Sequence, residues 1–412
     1  MVEVKQGIEG IAATTPAPPA RIAPRVSRQR PLACVLGDTD LVRPLGLAGI
    51  RCAVVTKPDS PKAFSRFVDA RIDWADNWRD PDGLRRNLLD FATRAAAPPV
   101  LFYQYDGDLL FVSRNRDALA EGFRFVLADA DLIERLVDKT LFRELADERG
   151  LPVPATAVVW PGSAARPPEL PLEFPIVLKP VTRRDATWRP LAGSAKALVL
   201  QSPAELARIW AQLAESEIGM VAQEHVPGGE ERIESYHAYV DERGEVAGEF
   251  TGRKIRTLPA RFGHTTACEI TDAGDVRELG RECLRLLDLR GVAKVDFKRA
   301  PSGELKLLEV NPRFNLWHLP GSAAGVNLPA LVYSDLAGLP RPRTGRVRAG
   351  VRWSLPWYDL RAAREQRLGL GRWLAFEARC ETRHIVAADD PLPFLRGFAW
   401  GRMMRRLRRA RA

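Results

Sequence analysis

No stretch of the 412 residues approaches the roughly 20 consecutive apolar side chains that a membrane-spanning helix needs. Residues 1–10 also lack the apolar core of a secretory signal. These absences point away from an integral membrane protein and from an exported one. Cysteine is scarce: Cys34, Cys52, Cys268, Cys283 and Cys380 are the five in the chain. They are odd in number, far apart, and form neither C-x-x-C nor a Cys/His group at zinc spacing. That excludes a disulfide framework and a zinc module, and suits a reduced, cytoplasmic setting. A basic body is missing too, although the net charge is +10. Residues 395–412 hold seven arginines and no acid, residues 1–30 contribute +3, and residues 31–394 are neutral overall. A neutral body has little to attract phosphate backbones, so no nucleic-acid partner is expected.

What is present starts at Pro31, where the texture changes. Residues 1–30 carry too much proline and too little apolar periodicity to pack, and read as a disordered tail. Short apolar runs at 32–36, 51–56 and 100–104 then predict a parallel α/β unit over 31–130. Its glycines do not form G-x-G-x-x-G, which leaves nucleotide binding there unsupported. A second unit opens with a helix containing Asp138, Lys139 and Phe142, closed by Gly150 and kept from continuing by Pro152 and Pro154. Strands are expected at 156–159 and 174–180, then a helix opened by Ser202, Pro203 and Glu205. Further strands fall near 220–225, 234–240 and 245–251, followed by a helix over 275–287. A hairpin of 291–298 and 304–310 turns at Pro301-Ser302-Gly303.

Four features of the second unit carry chemistry if they are not merely solvated surface. Lys179 ends an apolar strand. Gln223-Glu224-His225-Val226-Pro227-Gly228-Gly229-Glu230-Glu231 is an acidic, glycine-rich exit that can offer backbone to a flat base and carboxylates to a ribose. Thr251-Gly252-Arg253-Lys254-Ile255-Arg256 gathers three cations, reading as a solvated edge strand or an anion clamp. The strongest is the hairpin. Alternation puts Lys294 and Asp296 on one face of its first strand, and Glu309 and Asn311 on one face of its second. If the strands pair, two carboxylates and an amide oxygen converge, and converging acids repel unless a cation neutralises them. Hard oxygen donors of this kind suit Mg2+.

In this order, Asp138-Lys139, Gly150-Leu151-Pro152-Val153-Pro154, the run 174–180, Gln223 to Gly228, Thr251 to Arg256, Asp296 and Glu309-Val310-Asn311-Pro312-Arg313-Phe314 resemble the ATP-grasp superfamily. Within it they are most similar to carboxylate-amine ligases of the D-aspartate ligase-like group. Gly325-Val326-Asn327 and Asp389-Asp390-Pro391-Leu392-Pro393-Phe394 fit that group too. The resemblance implies an α/β protein: a parallel-sheet pre-ATP-grasp domain at 31–130 and an α+β ATP-grasp core at 131–340. A C-terminal extension at 341–394 is expected to pack on that core. It implies ATP and Mg2+, with Mn2+ able to replace the latter, and small-molecule carboxylate and amine substrates. Lys139 and Lys179 match the two lysines on the ATP phosphates. Gln223, Glu224 and Val226 match the adenine hinge, and Glu230 or Glu231 would take the ribose. Asp296, Glu309 and Asn311 match the metal ligands. Lys254, Arg256, Lys294 and Arg313 would neutralise charge on the phosphate in transfer and on the substrate carboxylate.

The implied reaction forms an acyl phosphate and then an amide. Transfer to a thiol or another acceptor, and nucleotide binding without ligation, are the competing expectations. Residues 181–196 occupy the place of a phosphate-covering loop but contain one glycine where many relatives have several. The region around His264, Asn315, Trp317 and His318 is expected to line the substrate pockets, and the two histidines are candidates for amine deprotonation. Beyond 340 a basic run, Arg341, Arg343, Arg346, Arg348 and Arg352, reads as a solvated connection. In residues 395–412 a helical projection separates Ala399, Trp400, Met403, Met404 and Leu407 from five arginines. Such a tail would pack on the body or lie on an anionic membrane surface, the former being favoured.

Overall fold

The computed structural model describes residues 30–161, 166–181, 185–193, 196–215 and 219–400, without the side chains of 185–187 and 398–400. The expected disordered tail (its last residue, Arg30, apart), most of the amphipathic segment, and Arg183, Arg184 and Ser194 of the covering loop lie outside those residues. None of the described helices is long and apolar enough to cross a membrane.

The first unit comprises β1 (Ala33–Leu36), α1 (Thr39–Leu47), β2 (Cys52–Thr56), β3 (Val68–Asp73), α2 (Pro81–Arg94), β4 (Val100–Tyr103), α3 (Asp106–Arg114) and α4 (Arg116–Ala120). Its strands pair in parallel in the order β3-β2-β1-β4. Every residue of β1, β2 and β4 is buried, as a parallel sheet covered on both faces requires. β3 escaped the sequence reading because Val-Asp-Ala-Arg-Ile-Asp alternates exposed residues with the half-buried Val68 and Ala70 and the buried Ile72, the pattern of an edge.

Next come α5 (Ala130–Val137) and α6 (Lys139–Arg149). Asp138 separates them: its carboxylate accepts the backbone N–H groups of Thr140 (2.8 Å) and Leu141 (3.0 Å), starting α6. Gly150, with φ 64°, ends it in the left-handed conformation that only glycine adopts cheaply. β5 (Thr156–Val159), β6 (Ile176–Pro180), α7 (Asp185–Ala192), β7 (Leu198–Leu200), α8 (Pro203–Glu215) and β8 (Met220–Glu224) form an antiparallel sheet, β5-β8-β6-β7, with two helices. α7 falls within the expected covering loop, and its Trp188 is buried against β6 and α8 residues.

The largest sheet runs β13-β12-β9-β10-β11-β14-β15. It is built from β9 (Ile233–Val240), β10 (Val246–Leu258), β11 (His264–Thr271), β12 (Gly291–Arg299), β13 (Leu305–Asn311), β14 (Arg352–Ser354) and β15 (Thr382–Arg383). Helices α9 (Gly274–Leu286), α10 (His318–Ala323), α11 (Leu328–Leu336), α12 (Pro356–Glu365) and α13 (Leu370–Ala378) cover it. One face carries Ala293, Val295 and Phe297 against Val276, Cys283 and Leu284 of α9. The other carries Val292, Phe250, Ile270 and Trp317 with α11. Residues 251–253 are therefore interior, paired to both β9 and β11, while Lys254 and Arg256 pair with β11 alone.

Gly252 lets two layers approach. A Cβ there would lie 2.6 Å from the Trp317 ring and 3.0 Å from the Glu269 carbonyl oxygen. Gly252→Ala is expected to cost about 1–3 kcal/mol by overpacking, read as a lower urea midpoint with an unchanged slope.

Candidate nucleotide and metal site

The hairpin β12–β13 forms in the expected register. Asp296 sits directly opposite Glu309, and Lys294 opposite Asn311. On the other side of β12, Asp296 pairs with Ser235 and Lys294 with His237. Residues directly opposite on neighbouring strands share a face and bring their Cβ atoms to about 5 Å, so the two carboxylates converge. Asp296 is buried, its oxygens held by the Lys294 ammonium (2.6 Å) and the Ser235 hydroxyl. Burial alone would raise its pKa, but Lys294 and Lys254 together with these hydrogen bonds hold it below the usual carboxylate range. Glu309 is exposed, with Oε1 accepting from Asn311 Nδ2 at 3.1 Å. Asn311 Oδ1 in turn accepts from Arg313 Nη2 at 3.1 Å. Two carboxylates opposed in register, one exposed, with an amide oxygen alongside, fit a hard divalent cation. Among the described residues no group of three His, Cys, Asp or Glu side chains is gathered, so such an ion would need the amide.

Both expected phosphate lysines come to the end of β6. Lys139, on the first turn of α6, donates to the Pro180 carbonyl, and Lys179 donates to Gln223 Oε1 at 2.8 Å. Gln223 Nε2 passes the contact on to Thr156 Oγ1 at 3.1 Å. Burial lowers the Lys179 pKa, partly offset by Glu309 and Glu230 and reinforced by Lys298. Lys179 of β6 is thus within electrostatic reach of Glu309 of β13 and Lys298 of β12. Along the hinge, Glu224 accepts the backbone N–H of Ala155 at 3.1 Å and Val226 is buried. Glu230 accepts the backbone N–H of Phe262, and Glu231 that of Gly229, each at 3.2 Å.

Two residues that sequence reasoning did not single out join this site. Lys298 shares its face with Lys294 and Asp296, and burial lowers its pKa while Glu230 and Glu231 raise it. One more step of the alternation would have found it. Ser235 had no such signal, since its role depends on knowing that β9 pairs with β12.

Two expectations need correction. Alternation places Arg256 beside Lys254, but β10 bulges between them: Lys254 pairs with Cys268 and Arg256 with the adjacent Ala267. The inserted Ile255 turns Arg256 to the opposite face, where its guanidinium is bound to Asp359 at 2.8 and 2.6 Å. Asn315, Trp317 and His318, expected to line a pocket, are buried core instead. Burial pushes the His318 imidazole down to about 3, so it stays neutral and inaccessible, unsuited to amine deprotonation. His264 is exposed, 3.3 Å from Lys196 Nζ. The basic run after 340 is an exposed connection, as expected: Arg341, Arg343, Arg346 and Arg348 face solvent, Arg341 pairing with Asp335 and Asp241, while Arg352 on β14 is half-buried and paired to Glu269. Arg313 stays beside the site but also spans to the first unit, donating to Asp106 (2.5 Å) and the Gln104 carbonyl (3.0 Å).

No family model matches the chain. A D-aspartate ligase from Enterococcus faecium (strain Aus0004) is 30% identical over 240 residues, 56% of this chain and 56% of that protein. The chain thus matches about half the length of this curated relative. The crystal structure of an N5-carboxyaminoimidazole ribonucleotide synthetase in complex with ADP superposes with a TM-score of 0.58 at 17% identity, covering 79% of this chain and 81% of that one. An L-amino acid ligase from Bacillus licheniformis gives 0.54 at 14% identity over 75% and 74%. With a four-stranded parallel sheet first in the chain and two antiparallel sheets that carry Lys179 and the Asp296–Glu309 pair, the chain has the ATP-grasp fold.

Proposed function

We propose that the protein is an ATP- and Mg2+-dependent ligase that joins a carboxylate to an amine, releasing ADP and phosphate. The observation that carries this reading is the opposed pair Asp296 and Glu309, with Lys254 and Lys294 acting on Asp296, Lys179 acting on Glu309, and Lys298 on the same face of β12. Asp296, Glu309 and Asn311 would hold the metal, which would supply positive charge to the nucleotide phosphates. Lys139 and Lys179 bind phosphate oxygens from the opposite sheet. Gln223, Glu224 and Val226 receive the adenine edge, and Glu230 or Glu231 the ribose. Lys254 and Lys298 neutralise the charge that accumulates as the substrate carboxylate oxygen attacks the γ-phosphorus and ADP leaves. Attack of the amine nitrogen on the acyl carbon then expels phosphate, and the nitrogen gives up a proton. Placing positive charge in advance is what phosphoryl transfer between anions demands, and no nucleophilic side chain is required. Likeness to a D-aspartate ligase supports an amino acid as the carboxylate substrate.

The test is Mg2+-dependent ADP release from the full chain with a panel of carboxylates and amines, with mass detection of the amide. ADP release without a conjugate removes the ligase reading, and tight ATP binding without turnover favours a binding protein. Lys179→Met should weaken MgATP binding about 10- to 100-fold, the cost of one charged hydrogen bond, measured by titration calorimetry.

A further inference from the structure

Strand β10 carries Arg253, Lys254 and Arg256, and the fold sends them to two faces. Arg253 donates to Glu269 (3.0 and 2.7 Å), which also accepts from Arg352 of β14 at 2.9 Å. Arg256 is bound through both Nε and Nη2 to Asp359 of α12, and Asp359 also accepts from Thr266 Oγ1 (2.9 Å) and Trp373 Nε1 of α13 (3.0 Å). The Arg256 guanidinium lies 4.1 Å from the ring centroid of Phe376. Arg256 and Asp359 are 6% and 0% exposed, which makes this a fully enclosed, four-donor ion pair. Lys254 sits between the two arginines and projects the other way, acting electrostatically on Asp296 and Lys298.

A bulge is a soft point of a sheet, because the extra residue has no place in the ladder. What fixes its direction here lies outside the ATP-grasp core, in a segment past residue 340. From this geometry we infer that the C-terminal extension is a positioning device for Lys254: the buried Arg256–Asp359 pair locks the β10 bulge, and the bulge aims the lysine at the phosphate in transfer. Releasing one partner of a buried pair leaves an uncompensated charge, so the locked register is strongly preferred. A misplacement of about 1 Å at reacting groups costs on the order of 100-fold in rate, which makes the lock visible in kcat.

The inference rests on the ligase reading, and a double-mutant cycle on the full chain separates the two. Asp359→Asn should lower kcat for ADP release about 10- to 100-fold with KM for ATP unchanged. In a Lys254→Ala background the same substitution should add no further loss, because both act through one ammonium. Equal fold-losses in the two backgrounds, or an unchanged kcat in Lys254→Ala itself, overturn the inference while leaving the ligase reading intact. If the unsubstituted chain releases ADP without forming an amide, the ligase reading fails instead. Should Asp359→Asn not fold, Trp373→Phe removes a single donor to Asp359, keeps most of the ring's bulk, and enters the same cycle with the same expected pattern.

Discussion

Glu309→Ala is expected to lower Mg2+-dependent ADP release by about 100- to 1,000-fold, the cost of removing one preorganised electrostatic partner of a charged transition state. The size follows from where Glu309 stands. It is the exposed member of the opposed pair and accepts a hydrogen bond from Asn311. Asp296 is buried and already committed to Lys294 and Ser235. Removing Glu309 therefore deprives a metal of its accessible carboxylate while leaving the core untouched. Surface substitutions of this kind change stability by about 0.5 kcal/mol or less, so the melting temperature should stay near wild type. Asp296→Asn is the contrasting control. It breaks the buried contact with Lys294 as well, so activity and stability should fall together. Equal melting losses for the two variants, or ADP release in Glu309→Ala near the wild-type rate, would refute the assignment of Glu309 as a ligand.

The hairpin was legible in the sequence because its signal is periodic and local. Lys294, Asp296, Glu309 and Asn311 stand at two-residue spacing on either side of a Pro-Ser-Gly turn, and a hairpin needs nothing more to set its faces. Asp138 and Gly150 were legible for a similar reason, since a cap and a left-handed stop act within one turn of helix. β11 was not, because His-Thr-Thr-Ala-Cys-Glu-Ile-Thr has no bulky alternation; it becomes a strand through β10 on one side and β14 on the other. The turn of Arg256 away from Lys254 could not be read either. A bulge is stabilised by what it reaches, and Asp359 lies 103 residues further along. The burial of Asn315, Trp317 and His318 has the same origin: they follow β13 directly, yet they lead into α10, which packs against the distant α1.

The second large effect is on stability and depends on pH. His384, beside β15, forms an ion pair with Asp40 in the first turn of α1, and the Trp353 indole N–H donates to the other Asp40 oxygen at 2.9 Å. Asp40 is 1% exposed, so this contact ties the two ends of the described chain through an almost fully buried carboxylate. Burial by itself lowers the His384 pKa, but the charge and hydrogen bond of Asp40, with Asp38 nearby, raise it to about 9 from 6.5. A group whose folded pKa lies above its unfolded value contributes fully below the unfolded pKa and loses that contribution as pH rises through the folded one. The stabilisation, about 3 kcal/mol at its maximum, should therefore be complete below about pH 6.5 and gone above about pH 9. Urea unfolding at pH 6, 8 and 10 reads it most cleanly as the difference between wild type and His384→Gln, which cancels the lysines, tyrosines and cysteines that also titrate at the alkaline end. The difference should be largest at pH 6 and shrink toward pH 10. A difference that is flat with pH would mean that His384 is held by packing and not by its charge.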